Sequence, residues 1–273
     1  MHQTQSIIAS CASGSTVLCA LKSLFSQPAG VTLMTLYSSQ ADKPKMLLIG
    51  ASRGIGLAMT SELLSRGWEV TATVRNSHPE AMQDLSARYP HALTIEQLDI
   101  NDTDQIAQLK SRLQHRCYDA LFVNAGTANP NQSETIGEVS TEDFIHVMVT
   151  NALSPMRVVE TCQDRVRANG LIGVMSSGQG SVGDNVKGGR EVYRGSKAAL
   201  NQYMRSYAAR QARSHPDRAL LLLAPGWIRT ALGGEQGAFS LEETLPDIVN
   251  VIEHKRGRPG LEYLDRFGKP VTW

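Results

Sequence analysis

From Lys45 onward the chain alternates short apolar runs with longer amphipathic stretches, and this alternation leaves few folds open. The runs Met46–Gly50, Glu69–Val74, Leu93–Leu98, Ala120–Asn124, Leu171–Met175 and Ala219–Leu223 read as strands. Near-continuous hydrophobicity over so few residues is what a parallel strand covered on both faces requires. The stretches between them repeat with helical period near Ile55–Arg66, Glu80–Tyr89, Thr103–His115, Thr141–Ala168, Glu191–Arg213 and Leu241–His254. Capping residues announce three of these: Asn101-Asp102, Ser140 and Ser240. Because βαβ crossovers are right-handed, the expected fold is α/β: a Rossmann-type, doubly wound parallel sheet in a three-layer α/β/α arrangement. Neither a linker nor an internal repeat interrupts residues 45–273, which read as a single domain.

Residues 1–44 differ in composition. Before Asp42 there is no acidic residue and only one Lys or Arg, Lys22. The apolar positions between Ile7 and Leu21 are broken by Ser, Gly and Thr, so the segment lacks the uninterrupted core of a signal peptide. It reads as a disordered extension, or as sequence upstream of a later start at Met34 or Met46, with a targeting segment as the alternative. No run reaches the roughly 18 apolar residues that span a bilayer. The formal net charge of +1 and the lack of a basic run interleaved with aromatics point away from nucleic acid and toward small molecules. Cys11, Cys19, Cys117 and Cys162 show no metal-binding or disulfide spacing, so they read as free thiols in a reducing compartment, with no metal site and a cytoplasmic location expected.

Two motifs carry chemistry. Gly50-Ala51-Ser52-Arg53-Gly54-Ile55-Gly56 lies between the first strand and the first helix. Glycines there permit a tight turn, bring backbone N–H groups to a pyrophosphate, and set that anion at the positive end of a helix. The same residues also satisfy Gly-x-Ser-x-Gly, a nucleophile elbow with Ser52 as nucleophile and His215 or His254 as partner. That α/β-hydrolase reading is the remote one, because an elbow normally follows several strands. The second motif is Tyr193-x-x-x-Lys197, whose spacing places both side chains on one helical face. A nearby ammonium favours the ionised phenol and makes it a usable general acid or base.

Taken in order, Gly50–Gly56, Leu98-Asp99-Ile100, Asn124-Ala125-Gly126, Asn151, Ser176-Ser177, Tyr193-x-x-x-Lys197 and Pro225–Thr230 resemble the short-chain dehydrogenases/reductases over residues 45–273. Residues 193–201 and the closing Gly268–Trp273 are similar to its C-factor and sniffer-type carbonyl reductases. The resemblance implies transfer of hydride between a nicotinamide and an aldehyde, ketone or secondary alcohol. It makes Asn151, Ser177, Tyr193 and Lys197 catalytic: Tyr193 exchanges the proton, Ser177 polarises the carbonyl, Lys197 also meets the nicotinamide ribose, and Asn151 helps place a relay water. It assigns cofactor contacts to Gly50, Ser52, Arg53, Gly54, Ile55, Gly56, Asp99, Ile100, Asn124, Ala125, Gly126, Pro225, Gly226, Ile228 and Thr230.

The second strand ends Thr73-Val74-Arg75-Asn76, with no carboxylate for ribose hydroxyls. Arg75, joined by Arg53, favours NADP(H) over NAD(H). Ser177 and Tyr193 stand sixteen residues apart, which leaves an enlarged, flexible, Gly-rich loop by the family's standard, in which Ser181 is the alternative catalytic serine. Only Ala231–Ser240 separate Thr230 from the last helix, so a short lid and an open, permissive pocket are expected, with Trp227 and Phe239 as apolar walls. A dinucleotide-binding regulator of low turnover is the alternative function. Family members assemble as dimers or tetramers through the fourth and fifth helices, though the sniffer-like branch includes monomers.

Overall fold

The alternating runs form the layers that their periodicity demands. A computed structural model describes residues 42–76 and 79–273; the rest of the expected N-terminal extension lies outside the described residues. Seven parallel strands make one sheet in the order β3-β2-β1-β4-β5-β6-β7. They are β1 (Lys45–Ile49), β2 (Glu69–Val74), β3 (Leu93–Gln97), β4 (Tyr118–Val123), β5 (Val166–Met175), β6 (Ala219–Ala224) and β7 (Gly260–Asp265). The helices are α1 (Gly54–Ser65), α2 (Glu80–Arg88), α3 (Thr103–Arg112), α4 (Thr141–Met148), α5 (Ser154–Cys162), α6 (Glu191–Ser214) and α7 (Leu241–Lys255).

Successive side chains of a strand point to opposite faces, so β1 feeds two cores. Met46 and Leu48 pack with Met59 and Leu63 of α1, Met82 of α2 and Ile248 and Ile252 of α7. Leu47 and Ile49 pack with Leu109 of α3, Val159 of α5 and Leu200 and Met204 of α6. These four apolar residues of β1 are fully buried, each contributing about 1.5–3 kcal/mol of apolar burial. The result is the expected three-layer Rossmann-type α/β/α fold. Among the described residues, no helix is long and apolar enough to cross a membrane.

The expected caps form. Asp102 accepts from the amides of Asp104 and Gln105, Ser140 accepts from Asp143, and Ser240 makes a reciprocal capping box with Glu243. Two boundaries differ from expectation. The helix expected over Thr141–Ala168 is instead α4, a π-helical turn over Val149–Leu153, α5 and a 3₁₀ turn over Gln163–Arg165. Pro155 has no N–H to give the Asn151 carbonyl, so a regular ladder cannot run through this point. Pairing of Val166 with Tyr118 then draws residues 166–168 into β5, overriding their helical propensity. The strand β7 was not expected; it is an edge strand beside β6, and Glu262 and the preceding Arg258-Pro259-Gly260 obscure its alternation.

Candidate active site

The strand order turns between β1 and β4, and the carboxyl ends of β1, β4, β5 and β6 open onto a cleft of about 950 Å³. One end is built by the glycine turn. Gly50 has φ +87°, and a Cβ there would lie 2.8 Å from Ala125. A Cβ on Gly56 would lie 2.0 Å from the Gly50 carbonyl oxygen. Asn124 Nδ2 donates to that same oxygen at 2.8 Å, and the Gly50 amide donates to Thr73 Oγ1 at 3.0 Å. These bonds fix the turn while leaving the start of α1 open: its first turn carries no acidic residue and no side chain caps it. Arg53, immediately before α1, and Arg75, after β2, both line this end of the cleft and are exposed.

The other end is built by the loop after β5 and by α6. Tyr193, Lys197 and Ser177 all line it. Lys197 is buried, with its Nζ 5.8 Å from the Tyr193 ring centroid, and it donates to the Met175 carbonyl oxygen at 2.9 Å. Burial pulls the Lys197 ammonium down to about 8. Burial also pushes the Tyr193 phenol above its ordinary value, opposed by a hydrogen bond with Ser177 and by the Arg190 charge. The spacing alone predicts a depressed phenol; burial outweighs the Ser177 hydrogen bond and the Arg190 charge. A phenol in this state is a proton donor at neutral pH.

The comparisons agree with this geometry. The family described as Enoyl-(Acyl carrier protein) reductase matches residues 50–253. The chain belongs to the short-chain dehydrogenases/reductases. A family member from Burkholderia multivorans, solved with bound NADP, is 56% identical; the match covers 85% of this chain and 100% of that one, with a TM-score of 0.82. A carbonyl reductase from Pseudomonas aeruginosa, in complex with NADP, is 32% identical over 85% of this chain and 100% of its own, with a TM-score of 0.77. The C-signal protein of Myxococcus xanthus is 30% identical over 57% of this chain and 92% of its own length.

In this short-chain dehydrogenase/reductase, the cleft brings together most of the residues that the motifs single out. Ser52, Arg53, Gly54, Ile55, Arg75, Asp99, Ile100, Asn124, Ala125, Gly126, Pro225, Gly226, Ile228 and Thr230 line it with Gly50 and the three groups at the other end. Gly56 lies beneath the turn, where its missing side chain permits the turn's closure. Asn151 is fully buried and does not line the cleft: its Nδ2 donates to the Thr127 carbonyl and to Ser196 Oγ, and its Oδ1 accepts from the Thr127 amide. Ser181 is also buried, with its Oγ accepting from the Asp184 amide, so Ser177 is the serine that reaches the cleft.

Three expectations are corrected. Phe239 is not an apolar wall; it packs beneath the Arg266 guanidinium, 3.6 Å from its ring centroid, while Trp227 does line the cleft. The enlarged loop is partly tied down, because the Gly183 amide donates to the Trp273 carbonyl at 3.0 Å. Among the described residues no hydrolase triad assembles at Ser52: His215 and His254 do not line the cleft and contact Ser214 Oγ and the Asn250 carbonyl instead.

Two residues that the sequence did not single out stand at the substrate end. Tyr263 of β7 donates its hydroxyl to the Ser177 carbonyl oxygen, and Arg190 lines the cleft just before α6. A cation three residues ahead of Tyr193 was a usable signal for Arg190; nothing local marks Tyr263.

The turn fits a dinucleotide. Gly50 and Gly56 stand where a side chain would collide, the positive end of α1 is uncompensated, and two arginines face the same end.

Proposed function

We propose that this oxidoreductase is an NADP(H)-dependent carbonyl reductase with Tyr193 as its general acid and base. The observation that carries the reading is the polarity of one cleft: Arg53 and Arg75 at the glycine-turn end, Tyr193, Ser177 and Lys197 at the other. Arg53 and Arg75 hold the 2′-phosphate, and β2 ends in Val74-Arg75-Asn76, with no carboxylate at the position that would otherwise bind ribose hydroxyls. The NADP bound to the relatives from Burkholderia multivorans and Pseudomonas aeruginosa supports the same choice.

The bound nicotinamide supplies the hydride that reduces the carbonyl carbon. Tyr193 gives its phenolic proton to the carbonyl oxygen, so that C=O becomes CH–OH, and takes it back in the reverse direction. Ser177 donates a hydrogen bond to the same oxygen and holds it against the phenol. Lys197, anchored by Met175, stabilises the phenolate left behind. Asn151 braces the segment after β4 with its side chain, and its main-chain carbonyl, which Pro155 cannot engage, holds the relay water. Closure of the cleft supplies little of this chemistry, since only residues 231–240 separate Thr230 from α7.

The test is NADPH and NADH consumption, followed by absorbance, across a panel of aldehydes and ketones. Turnover with NADPH exceeding that with NADH supports the reading; cofactor binding without turnover on any carbonyl overturns it. The likeness to C-signal favours one second reading, a dinucleotide-binding regulator of low turnover. Binding of NADP(H) with no carbonyl-dependent consumption is the result that reading requires.

A further inference from the structure

The cleft carries a cation that proton and hydride transfer do not use. Gly188, Gly189 and Arg190 adopt φ values of +64°, +67° and +51° in succession before α6. Glycine adopts this left-handed conformation freely, whereas a residue with a side chain adopts it at an energetic cost. Among the described residues Arg190 is the one non-glycine with positive φ. Strain of this kind persists where the surrounding structure holds a residue in place.

Helix capping does not account for it. Arg190 stands at the N-cap of α6, but its side chain makes no capping bond. Nor does an ion pair: among the described residues its guanidinium has no carboxylate within salt-bridge distance. The neighbouring Glu191 is turned away and accepts from the Ile136 amide. The guanidinium instead lies 5.8 Å from the centroid of the Trp227 ring, and both residues line the cleft. An aromatic platform under a planar guanidinium leaves its N–H edge free for a planar, bidentate acceptor.

The rest of the lining agrees in sign. Among the described residues Asp99 is the one acidic residue lining the cleft, and it belongs to the dinucleotide end beside Leu98 and Ile100. Beside Ser177, Arg190 is joined in the lining by the neutral amide of Gln179, two residues further along the chain. Arg190 also lies near enough to Tyr193 for its charge to act on the phenol, so a group held by Arg190 is within reach of the proton donor.

We propose that Arg190 selects carbonyl substrates that carry a carboxylate, gripping it through the guanidinium edge while Ser177 and Tyr193 hold the carbonyl. The proposal rests on the reductase reading and narrows its substrates to oxo acids and carboxylated aldehydes.

The test compares kcat/KM for 4-carboxybenzaldehyde with that for its neutral methyl ester in the wild type, Arg190→Gly, Arg190→Gln and Arg190→Lys. Glycine suits the left-handed backbone, so the first variant is the one best placed to fold. The wild type should prefer the acid about tenfold or more, the scale of a charge-assisted hydrogen bond. The preference should vanish in the Gly and Gln variants, survive in part in Lys, and weaken with added salt. An acid-to-ester ratio near one in the wild type overturns the proposal, as does a ratio that survives in Arg190→Gly. Weakened NADPH binding in these variants with an unchanged ratio also overturns it, because Arg190 would then serve the cofactor.

A second readout is independent of turnover: binding of benzoate and of benzamide to the NADPH-loaded enzyme, followed by cofactor fluorescence. Tighter binding of benzoate, lost in Arg190→Gly, supports the proposal even if no aldehyde is reduced, in which case the reductase reading alone falls. Neutral aldehydes reduced without any preference for the acid give the converse, and the inference alone falls.

Discussion

Lys197 turns its ammonium to the Met175 carbonyl at 2.9 Å while lying 5.8 Å from the Tyr193 ring centroid. It is thus anchored independently of Tyr193. The anchor keeps a charged group in a buried place, and burial pulls its pKa from 10.5 to about 8. The unfolded chain therefore binds a proton that the folded protein has released between those two values. Stability consequently rises with pH across that interval and is flat, for this group, below about 8. Urea unfolding should show the stability of the wild type gaining on that of Lys197→Met across this interval, because the opposing effect of the raised Cys162 thiol is common to both.

The direction of catalysis should follow the state of the phenol. Burial raises Tyr193, so the acid form needed for reduction is present through neutral pH and is lost as pH rises through the raised value. Oxidation of an alcohol needs the ionised form, and its kcat/KM should increase with pH over the same limb. Removing the Arg190 charge lifts a cation that lowers the phenol, so the limb should move to higher pH in Arg190→Gly. Rate profiles in both directions check this; an oxidation profile flat from about pH 6 to 10 would contradict it.

Tyr263 steadies Ser177 from the edge strand, donating its hydroxyl to the serine's carbonyl oxygen. In Tyr263→Phe that bond is lost while the ring remains against Trp273, whose centroid is 5.4 Å away. Loss of about 1 kcal/mol should lower Tm by about 2–4 °C. A displaced Ser177 should reduce kcat about tenfold with NADPH affinity little changed. An unchanged kcat would assign Tyr263 to packing alone.

How much of this was legible in the sequence depends on the range of the interactions. Strands β1, β4 and β6 announced themselves because burial on both faces demands unbroken apolar runs such as Met46–Ile49 and Ala219–Ala224. Tyr193 and Lys197 were legible as an i, i+4 pair, which is a local pattern, and Ser177 only through the ordered set of motifs that carries the family resemblance. Tyr263 was not, since its bond to Ser177 spans 86 residues. The break after Met148 was hidden because a π-helical turn keeps the helical period approximately while shifting its phase. Phe239 was misjudged because apolar character does not reveal that an arginine, Arg266, covers it.

The arginines at the glycine-turn end should separate the two nicotinamide cofactors. Arg75→Ala should weaken NADPH binding about 10- to 100-fold, the loss expected for charge-assisted bonds, and leave NADH binding nearly unchanged. Titrations followed by cofactor fluorescence read both affinities. Equal losses for both cofactors would place Arg75 elsewhere than at the 2′-phosphate.

Tyr193→Phe tests the central claim most directly, because it removes one hydroxyl from a ring whose place in the cleft is otherwise kept. The measurement is single-turnover oxidation of NADPH by an aldehyde in wild type and variant, with NADPH affinity measured in parallel. The account predicts a fall of about 10²–10⁴ in the rate with cofactor binding within about twofold of wild type. A variant that oxidises NADPH at the wild-type rate would show that the proton comes from elsewhere.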